Sequence, residues 1–353
     1  MPATPPVTPT PDQNSARDPQ VEALAALGEA CLRNTGDELG FIDTTSGARD
    51  IERIRIALRE SAISYIAYSY GTFLGTQYAD LYPSSVRAFV LDGGVDPALS
   101  AKAQVEGQAV AAERSLQAFL SDCAVRPACS LYNNGDPGVR FDELRRALDI
   151  RPLLVPATSG DSTRIDGTKF VDAVYQALIR GAWNTLAQAL ADVQIRQDGT
   201  AIVKLLQSGS GAARGITTAA ATIATNCLDA PTPNRDALSQ LAERLRAEAP
   251  HFVSPSALTT CDGWPFEATR QPHELHAVGS APILVIGTTG DPLAPYEWSQ
   301  SLARQLRAGH LLTWQGHRHT VSFHSPSLSQ CIDAAVTAYL VDLVLPSDGT
   351  VCE

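Results

Sequence analysis

The chain has 353 residues, a hydrophobic fraction of 44% and a formal net charge of −11, which is typical of a soluble globular protein with roughly two domain-sized units. This acidic balance argues against nucleic acid or an anionic membrane surface as the main partner. No run of about 18 apolar residues occurs, so no transmembrane helix is expected.

The first part of the chain is predicted to be a linker followed by an α/β core. Residues 1–20 are rich in proline and threonine and lack the basic and apolar regions of a signal peptide, so we expect an extended linker. In residues 21–97 the pattern predicts two helices, then a strand–turn–helix stretch at 62–80 and a short strand at 86–91. Two strands joined by a helix are the repeat of a mostly parallel sheet.

The strand–turn–helix stretch carries the first chemical signal. Its turn, Ala67-Tyr68-Ser69-Tyr70-Gly71, is a variant of the G-x-S-x-G nucleophile elbow. Such a turn lifts the serine hydroxyl clear of the sheet and directs the first N–H groups of the helix, here the backbone N–H of Tyr70, at a nearby oxyanion. The alternative is a serine in an ordinary strand–helix turn.

Residues 98–265 are predicted to be a helical insertion, and residues 266–353 to complete the core. No convincing strand alternation occurs in the insertion, although an independent helical domain is an alternative interpretation. Strand patterns resume in the last segment, which also contains helices near 296–308 and 327–343. Its strands are predicted at 282–287 and 310–314.

Three predicted strand ends carry a serine, an acid and a histidine. Functional groups collect at the carboxyl ends of the strands in open α/β sheets, and Ser69, Asp291 and His319 follow such strands in the order found in α/β-hydrolase triads. His319 would take the proton of Ser69, and Asp291 would orient the imidazole. Asp92 is a rival acid and His317 a rival base, and Asp291-Pro292 could be only a turn.

The seven cysteines predict three disulfides and one unpaired thiol. Cys123 and Cys129 could close a small loop, Cys227 and Cys261 bracket a helical segment, and a bond between Cys331 and Cys352 would tie down the tail. Cys31 is left over. Three disulfides imply an oxidising compartment; the alternative is seven reduced cysteines in the cytosol. No C-x-x-C pair occurs, so we expect no zinc site. We also expect no other metal and no cofactor.

The chain resembles the tripeptidyl aminopeptidase-like branch of the α/β-hydrolase serine peptidases, which includes prolyl aminopeptidases. The resemblance is carried by ISYIAYSYGTFLGTQYADLYPSSVRAFVLDGGVDP, CDGWP at 261–265, PILVIGTTGDPLAPYEWS, LLTWQGHRHT and CIDAAVTAYLVDLVLPSDGTVC. It implies a partial α/β-hydrolase fold with an inserted helical cap, and a triad of Ser69, Asp291 and His319. It also implies release of short units from peptide N-termini, and a secreted or cell-envelope location.

The chain departs from this family in two ways. Ala67 stands where the family usually has glycine, a change that preserves a small residue. The chain also has no Gly-rich Asn-Pro-Gly-Gly-Pro-Gly type loop, which supplies one wall of the oxyanion hole in the family. We therefore expect a truncated start, which would explain the missing loop, the absent signal peptide and the odd Cys31 together. We also expect weak or no activity from residues 1–353 alone.

Three functions follow as hypotheses. The first is a serine exopeptidase acting on peptides with a free N-terminus, for which Asp229 is a candidate contact for the substrate ammonium group, although a surface position is the alternative. The second is a carboxylesterase with the same triad. The third is a non-catalytic fragment or binding protein. The oligomeric state is not predicted.

Overall fold

The computed structural model describes residues 19–132, 135–156, 162–209, 216–252, 261–324 and 326–353. Within the predicted linker, residues 1–18 lie outside these ranges, and the first helix already begins at Pro19. Twelve α-helices lie in the described residues: α1 (Pro19–Thr35), α2 (Thr44–Ala57), α3 (Tyr70–Leu81), α4 (Ala101–Val125), α5 (Pro137–Ile150), α6 (Gly167–Ile179), α7 (Trp183–Ala191), α8 (Thr200–Gly209), α9 (Ile216–Asp229), α10 (Arg235–Glu248), α11 (Tyr296–Gln305) and α12 (Gln330–Asp342).

Seven strands form two sheets in the same part of the chain. The main sheet has five parallel strands in the order β1-β2-β5-β6-β7, and β3 and β4 form a separate antiparallel pair. The strands are β1 (Ile63–Tyr68), β2 (Val86–Asp92), β3 (Leu153–Val155), β4 (Thr163–Ile165), β5 (Ile283–Thr288), β6 (Gly309–Trp314) and β7 (Val351–Cys352).

The parallel register brings the carboxyl ends of four strands to one edge of the main sheet. Tyr68 at the end of β1 pairs with Asp92 at the end of β2, and Asp92 pairs with Ile286 of β5. Thr288 at the end of β5 pairs with Trp314 at the end of β6. The loops that carry Ser69, Asp291 and His319 therefore leave the sheet on the same side.

Both faces of the main sheet are covered by helices, which explains the nearly continuous apolar runs in its central strands. Successive side chains of a strand point to opposite faces. Phe89 accordingly packs with Tyr78 of α3 on one face, whereas Val90 and Leu284 pack with Ile332 of α12 on the other. These residues are almost fully buried, so the sheet is a rigid base for the loops at its edge.

The helical insertion has an apolar core of its own, separate from the two faces of the sheet. Leu116, Phe119, Phe141 and Phe170 lie fully buried at its centre, and they come from α4, α5 and α6. The expectation of no strand in the insertion was wrong, because β3 and β4 pair there. Strands of three residues are too short to show alternation in a sequence. We call residues 98–252 of this insertion the cap.

Helix α9 was not predicted and leaves the core of the cap. Its sequence, ITTAAATIATNCLD, is rich in threonine and β-branched residues, which have weak helix propensity. Ala224, Cys227 and Leu228 pack instead with Leu24 and Leu39 near the start of the described chain. Tertiary packing therefore outweighs the local preference.

The three predicted disulfides are present: Cys123–Cys129, Cys227–Cys261 and Cys331–Cys352. The last of them ties α12 to β7, a two-residue strand that was not predicted. The Cys31 thiol is free and half-buried. None of the helices in the described ranges is long and apolar enough to cross a membrane.

Candidate active site

The turn between β1 and α3 holds Ser69 in a conformation that side chains rarely adopt. Its φ is 56° and its ψ is −129°, which is a strained backbone for a residue with a Cβ atom. The small residues on either side allow this turn. A Cβ added at Gly71 would lie 3.3 Å from the Cβ of Ala67, so there is no room for larger side chains at these two positions. The departure at Ala67 is thus compatible with the elbow.

Hydrogen bonds on both sides of Ser69 hold the turn in place. The Ser69 N–H donates to the carbonyl of Asp92 over 2.9 Å, and the Thr72 hydroxyl donates to the Ser69 carbonyl over 2.6 Å. Tyr70 is the first residue of α3, and an N–H at this position has no acceptor within its own helix. The Tyr70 N–H is therefore available to an anion beside Ser69.

The structure brings Asp291 and His319 together. The Asp291 Oδ2 atom lies 2.9 Å from Nδ1 of His319, and both side chains are buried. The Asp291 Oδ1 atom accepts the backbone N–H groups of Leu293 and Ala294, each over 2.8 Å. These bonds fix the carboxylate so that it can orient the imidazole. His319 Nε2 is buried and has no hydrogen-bond partner among the described residues.

The end of β2 joins the serine turn to the histidine loop. Asp92 accepts the Ser69 N–H through its carbonyl, and the next residue, Gly93, lies against the His319 ring. A Cβ at Gly93 would lie 2.9 Å from Cε1 of His319, and the φ of Gly93 is +71°. Only glycine fits this backbone and this close approach. Ser69 and His319 are therefore anchored to consecutive residues of the same strand end.

Neither rival residue takes part in the Asp291–His319 pair. The Asp92 Oδ2 atom accepts the N–H of Val321, the N–H of Ser322 and the Ser322 hydroxyl, over 2.7–2.9 Å. Burial raises the pKa of Asp92, although these bonds act in the opposite direction. Asp92 thus holds the segment that follows the base. His317 instead stacks on Trp183 in the cap, with 4.8 Å between the ring centroids.

The cap closes over the loop that carries His319. The His319 N–H donates to the Ile179 carbonyl at the end of α6 over 2.8 Å. At Gly181 the φ is +62°, and an added Cβ would lie 2.8 Å from the His317 carbonyl oxygen. Burial raises the pKa of the Tyr175 phenol in α6, and the charge of Asp291 raises it further. The cap therefore helps to position the histidine.

Asp229, which ends α9, is buried beside the elbow and is not a surface residue. Its Oδ1 accepts the Thr44 N–H over 2.8 Å, and its Oδ2 accepts the hydroxyls of Thr44 over 2.5 Å and of Tyr70 over 3.2 Å. Burial raises the pKa of Asp229 and outweighs the opposite effect of these bonds. Burial and the Asp229 charge also raise the pKa of Tyr70.

The sequence did not predict three features of this site: the Thr44 side chain, the Tyr70 hydroxyl and the need for glycine at position 93. Only Gly93 had a local signal, since Asp92-Gly93-Gly94 ends a predicted strand. Among the described residues, no group of three or more His, Cys, Asp or Glu side chains could hold a metal ion. Asp291 and His319 are paired as nucleophilic catalysis by serine requires, whereas Nε2 of His319 makes no hydrogen bond to Ser69 in this structure.

Comparisons with known proteins support the α/β-hydrolase fold. A family model described as "alpha/beta hydrolase fold" matches residues 42–179, and one described as "TAP-like protein" matches residues 247–352. Together the two models cover more than half of the chain. They support the predicted α/β-hydrolase fold and include the stretches that carry Ser69, Asp291 and His319.

Several curated proteins are similar over most of the chain. "Serine protease Hip1" of Mycobacterium tuberculosis is 33% identical over 344 residues, which are 91% of this chain and 64% of the relative. "Carboxylesterase B" of the same species is 33% identical over 341 residues, 92% of this chain and 64% of the relative. "Tripeptidyl aminopeptidase" of Streptomyces lividans is 27% identical over 353 residues, 96% of this chain and 63% of the relative. The chain thus spans slightly less than two thirds of the length of these relatives.

Proposed function

The chain belongs to the α/β-hydrolase superfamily, and on this premise we propose that it is a serine hydrolase with Ser69 as nucleophile, His319 as base and Asp291 as the acid that orients the base. One observation carries the proposal. The carboxylate of Asp291 lies 2.9 Å from Nδ1 of His319, and the opposite ring nitrogen is buried without a partner, at the sheet edge where the strained Ser69 turn lies.

The proposed reaction is an acyl transfer in two steps. Nε2 of His319 takes the hydroxyl proton as Ser69 Oγ attacks the substrate carbonyl, and the resulting imidazolium is stabilised by Asp291. The Tyr70 N–H donates to the oxyanion of the tetrahedral intermediate. His319 then protonates the leaving group, which leaves an acyl group on Ser69. A water molecule, activated by the same histidine, releases the acyl group and restores the serine.

We favour a peptide with a free N-terminus as substrate, and the release of short N-terminal units. Support comes from the match to the TAP-like model and from the relatives named as a tripeptidyl aminopeptidase and a serine protease. The cap covers the histidine loop, as expected for an enzyme that acts at chain ends. Asp229 is the proposed contact for the ammonium group, because its buried carboxylate is bonded to the residue that follows the nucleophile.

A carboxylesterase is the second candidate, because a relative with the same level of identity is named carboxylesterase B. Both activities would use the same acyl-enzyme. They differ in the leaving group, an amine or an alcohol, and in whether a free ammonium group contributes to binding.

The test begins with labelling by a fluorophosphonate probe, which reacts with activated serines. We expect the full chain to be labelled, and both Ser69→Ala and His319→Ala to abolish labelling. Absence of labelling in the unaltered chain would contradict the proposal and favour the non-catalytic alternative. The rate of labelling tests the prediction that residues 1–353 alone have weak or no activity. Labelling as fast as that of the Streptomyces tripeptidyl aminopeptidase would contradict this prediction.

A comparison of substrates then separates the two activities. We expect kcat/KM for a tripeptidyl p-nitroanilide with a free amine to exceed that for its N-acetylated form. If p-nitrophenyl butyrate is hydrolysed and neither anilide is, the carboxylesterase proposal replaces the peptidase.

The three disulfides support an oxidising compartment as the proposed location.

A further inference from the structure

A groove of about 470 Å³ lies where the cap meets the loop that carries His319. It is separate from the Asp291–His319 contact, but its lining includes Arg318, the residue before the proposed base. Its walls come from the end of α4, the α6–α7 connection and the segment after β6. The side chains that matter for its chemistry are Arg126, Arg180, Trp183, Trp314, His317 and Arg318.

The positive charges in this groove are only partly neutralised. Asp122 is the one carboxylate among its lining residues, and it lies 2.6 Å from Nε of Arg126. Arg180 donates to backbone carbonyls, including that of Gln176 over 2.6 Å, and makes no ion pair with a described carboxylate. Arg318 makes no hydrogen bond or ion pair with any residue in the described ranges. Arg180 and Arg318 therefore line the groove without a direct ion pair to any carboxylate of the described residues.

Burial makes this arrangement costly. It lowers the pKa of Arg318, and the nearby charge of Arg180 lowers it further, while Asp92 acts in the opposite direction. Both guanidinium groups nevertheless remain charged near neutral pH. An anion placed between them would relieve their repulsion and replace part of the lost hydration.

Three residues in the lining of the groove carry a buried donor without an acceptor. Nε of Arg318 and the indole nitrogens of Trp183 and Trp314 have no partner among the described residues, but protein atoms cover them, so they do not open into the groove. The terminal nitrogens of Arg318 are not covered in this way, and they can only donate. They favour a ligand rich in acceptor oxygens.

The groove also has two aromatic rings in its lining. The rings of Trp183 and His317 lie against each other, with 4.8 Å between their centroids and a tilt of 36° between their planes. A planar group can lie against such a pair, and the planar guanidinium of Arg318 matches the two oxygens of a carboxylate.

We propose that this groove binds a carboxylate carried on a small or extended organic ligand, with Arg318 as its principal contact and Arg180 as its second. The carboxylate has two sources, a peptide substrate of the proposed hydrolase or a free organic acid. A ligand bound to Arg318 would also restrain the loop that carries His319, the next residue. The site is therefore suited to recognise an acidic group close to the proposed catalytic histidine.

The first test is calorimetric titration of the full chain with sodium benzoate, using neutral benzamide as the matched control. The titration is done in the Ser69→Ala variant, so its outcome does not depend on turnover. We expect saturable binding of benzoate, at least tenfold weaker binding of benzamide, and weakening by increasing NaCl. Equal affinity for the two ligands, or no saturable binding of benzoate, would overturn the proposal.

Arginine variants localise the binding. Arg318→Gln should weaken benzoate binding by roughly ten- to a hundredfold, and Arg180→Gln by a smaller factor. Arg126→Gln is the matched control in the same groove, because its charge is already neutralised by Asp122. Its effect should be below about threefold. Unchanged binding in folded Arg318→Gln would overturn the proposal, with far-UV circular dichroism as the check on folding.

A kinetic comparison distinguishes the two sources. If the carboxylate belongs to the substrate, peptides with a free C-terminus should have a lower KM than their C-terminal amides, and Arg318→Gln should remove the difference. Equal KM values together with benzoate binding would assign the groove to a free organic acid. Since benzoate binding is measured without Ser69, failure of serine labelling and failure of this proposal are separate outcomes.

Discussion

The proposed chemistry depends on a few residues that hydrogen bonds to backbone groups hold in position. Asp291 is bonded on one oxygen by two N–H groups and on the other by His319, so its carboxylate has little freedom to rotate. Ser69 is held in a strained turn by bonds to its own N–H and carbonyl. Such preorganisation reduces the rearrangement needed during reaction.

The Asp291→Asn variant should lose activity because an amide cannot hold the imidazole in the required tautomer. We expect kcat to fall by roughly 10³- to 10⁴-fold with only a small change in KM. The measurement is steady-state hydrolysis of the best anilide or ester substrate.

Asp92→Asn is the matched control for that substitution, since Asp92 bonds to Val321 and Ser322 and not to His319. It should lower thermal stability and reduce kcat far less than Asp291→Asn does. A larger loss of activity from Asp92→Asn, with Asp291→Asn still active, would reverse the assignment of the acid.

Asp229→Asn should discriminate between substrates with and without a free amine. If the carboxylate contacts the ammonium group, KM for the free-amine anilide should rise at least about tenfold, as expected for loss of a charged hydrogen bond. Hydrolysis of p-nitrophenyl butyrate, which has no ammonium group, should change little.

The control is Thr44→Val, which removes one hydroxyl bonded to Asp229 but keeps the charge. It should preserve the preference for a free amine. Equal losses for both substrates in Asp229→Asn would indicate that the carboxylate only holds Thr44 and Tyr70 in position.

At the scale of elements, the cap is joined internally by a partly buried charged cluster. Nδ1 of His251, after α10, lies 3.0 Å from both carboxylate oxygens of Glu113 in α4, and Nε2 lies 3.0 Å from Asp142 in α5. Burial alone would lower the pKa of His251, but these carboxylates raise it above its ordinary value of 6.5. The cluster therefore ties three parts of the cap together while His251 is protonated.

The stability of the cap should fall as His251 loses its proton. Because the pKa of His251 is raised on folding, its contribution is fully present below about pH 6.5 and is lost as the pH rises through the folded value. The pKa of Glu113 is lowered by His251 and Gln117 despite burial, so its contribution is lost at acid pH, below its ordinary value of 4.5. Stability from the cluster should therefore be greatest between these limits.

His251→Asn tests this by denaturant unfolding at several pH values. Near pH 6 the variant should lose on the order of 2 kcal/mol, and the loss should shrink at pH 9. His273→Asn, at an exposed histidine, should show neither effect. A loss in His251→Asn that is independent of pH would contradict a role for the charged imidazole.

At the scale of the molecule, the disulfides close loops of very different length. The Cys227–Cys261 bond closes 34 residues and lies next to Leu228 and Asp229, so it fixes the end of α9 beside the elbow. The Cys123–Cys129 bond closes only 6 residues within the cap. The longer loop restricts the unfolded chain more.

Removing Cys227 and Cys261 together, by substitution to alanine, should therefore lower the free energy of unfolding by about 3–4 kcal/mol. The Cys123→Ala, Cys129→Ala double variant is the matched control, with an expected loss of about 2 kcal/mol. Denaturant unfolding under non-reducing conditions measures both. A larger loss from the short loop than from the long one would contradict the loop-entropy argument.

The sequence by itself determined the elements whose signals are local. Apolar runs bounded by turn residues predicted β1, β5 and β6 closely, and the elbow around Ser69 was visible from five residues. The order of serine, acid and histidine after strands predicted the proposed triad, and the structure shows one of its contacts, between Asp291 and His319. Cysteine spacing predicted three bonds, because each pair flanks a recognisable turn or helix.

Only the tertiary structure distinguishes groups with the same chemistry. Asp92 ends β2 and Asp291 lies three residues after β5, and His317 and His319 are two residues apart, so no local pattern separates them. The choice depends on which side chains meet across parallel strands, and Asp291 meets His319 whereas Asp92 holds Ser322. Packing also determines the helical conformation of α9 and the position of the groove beside Arg318, because contacts between distant segments outweigh the local conformational preferences of the sequence.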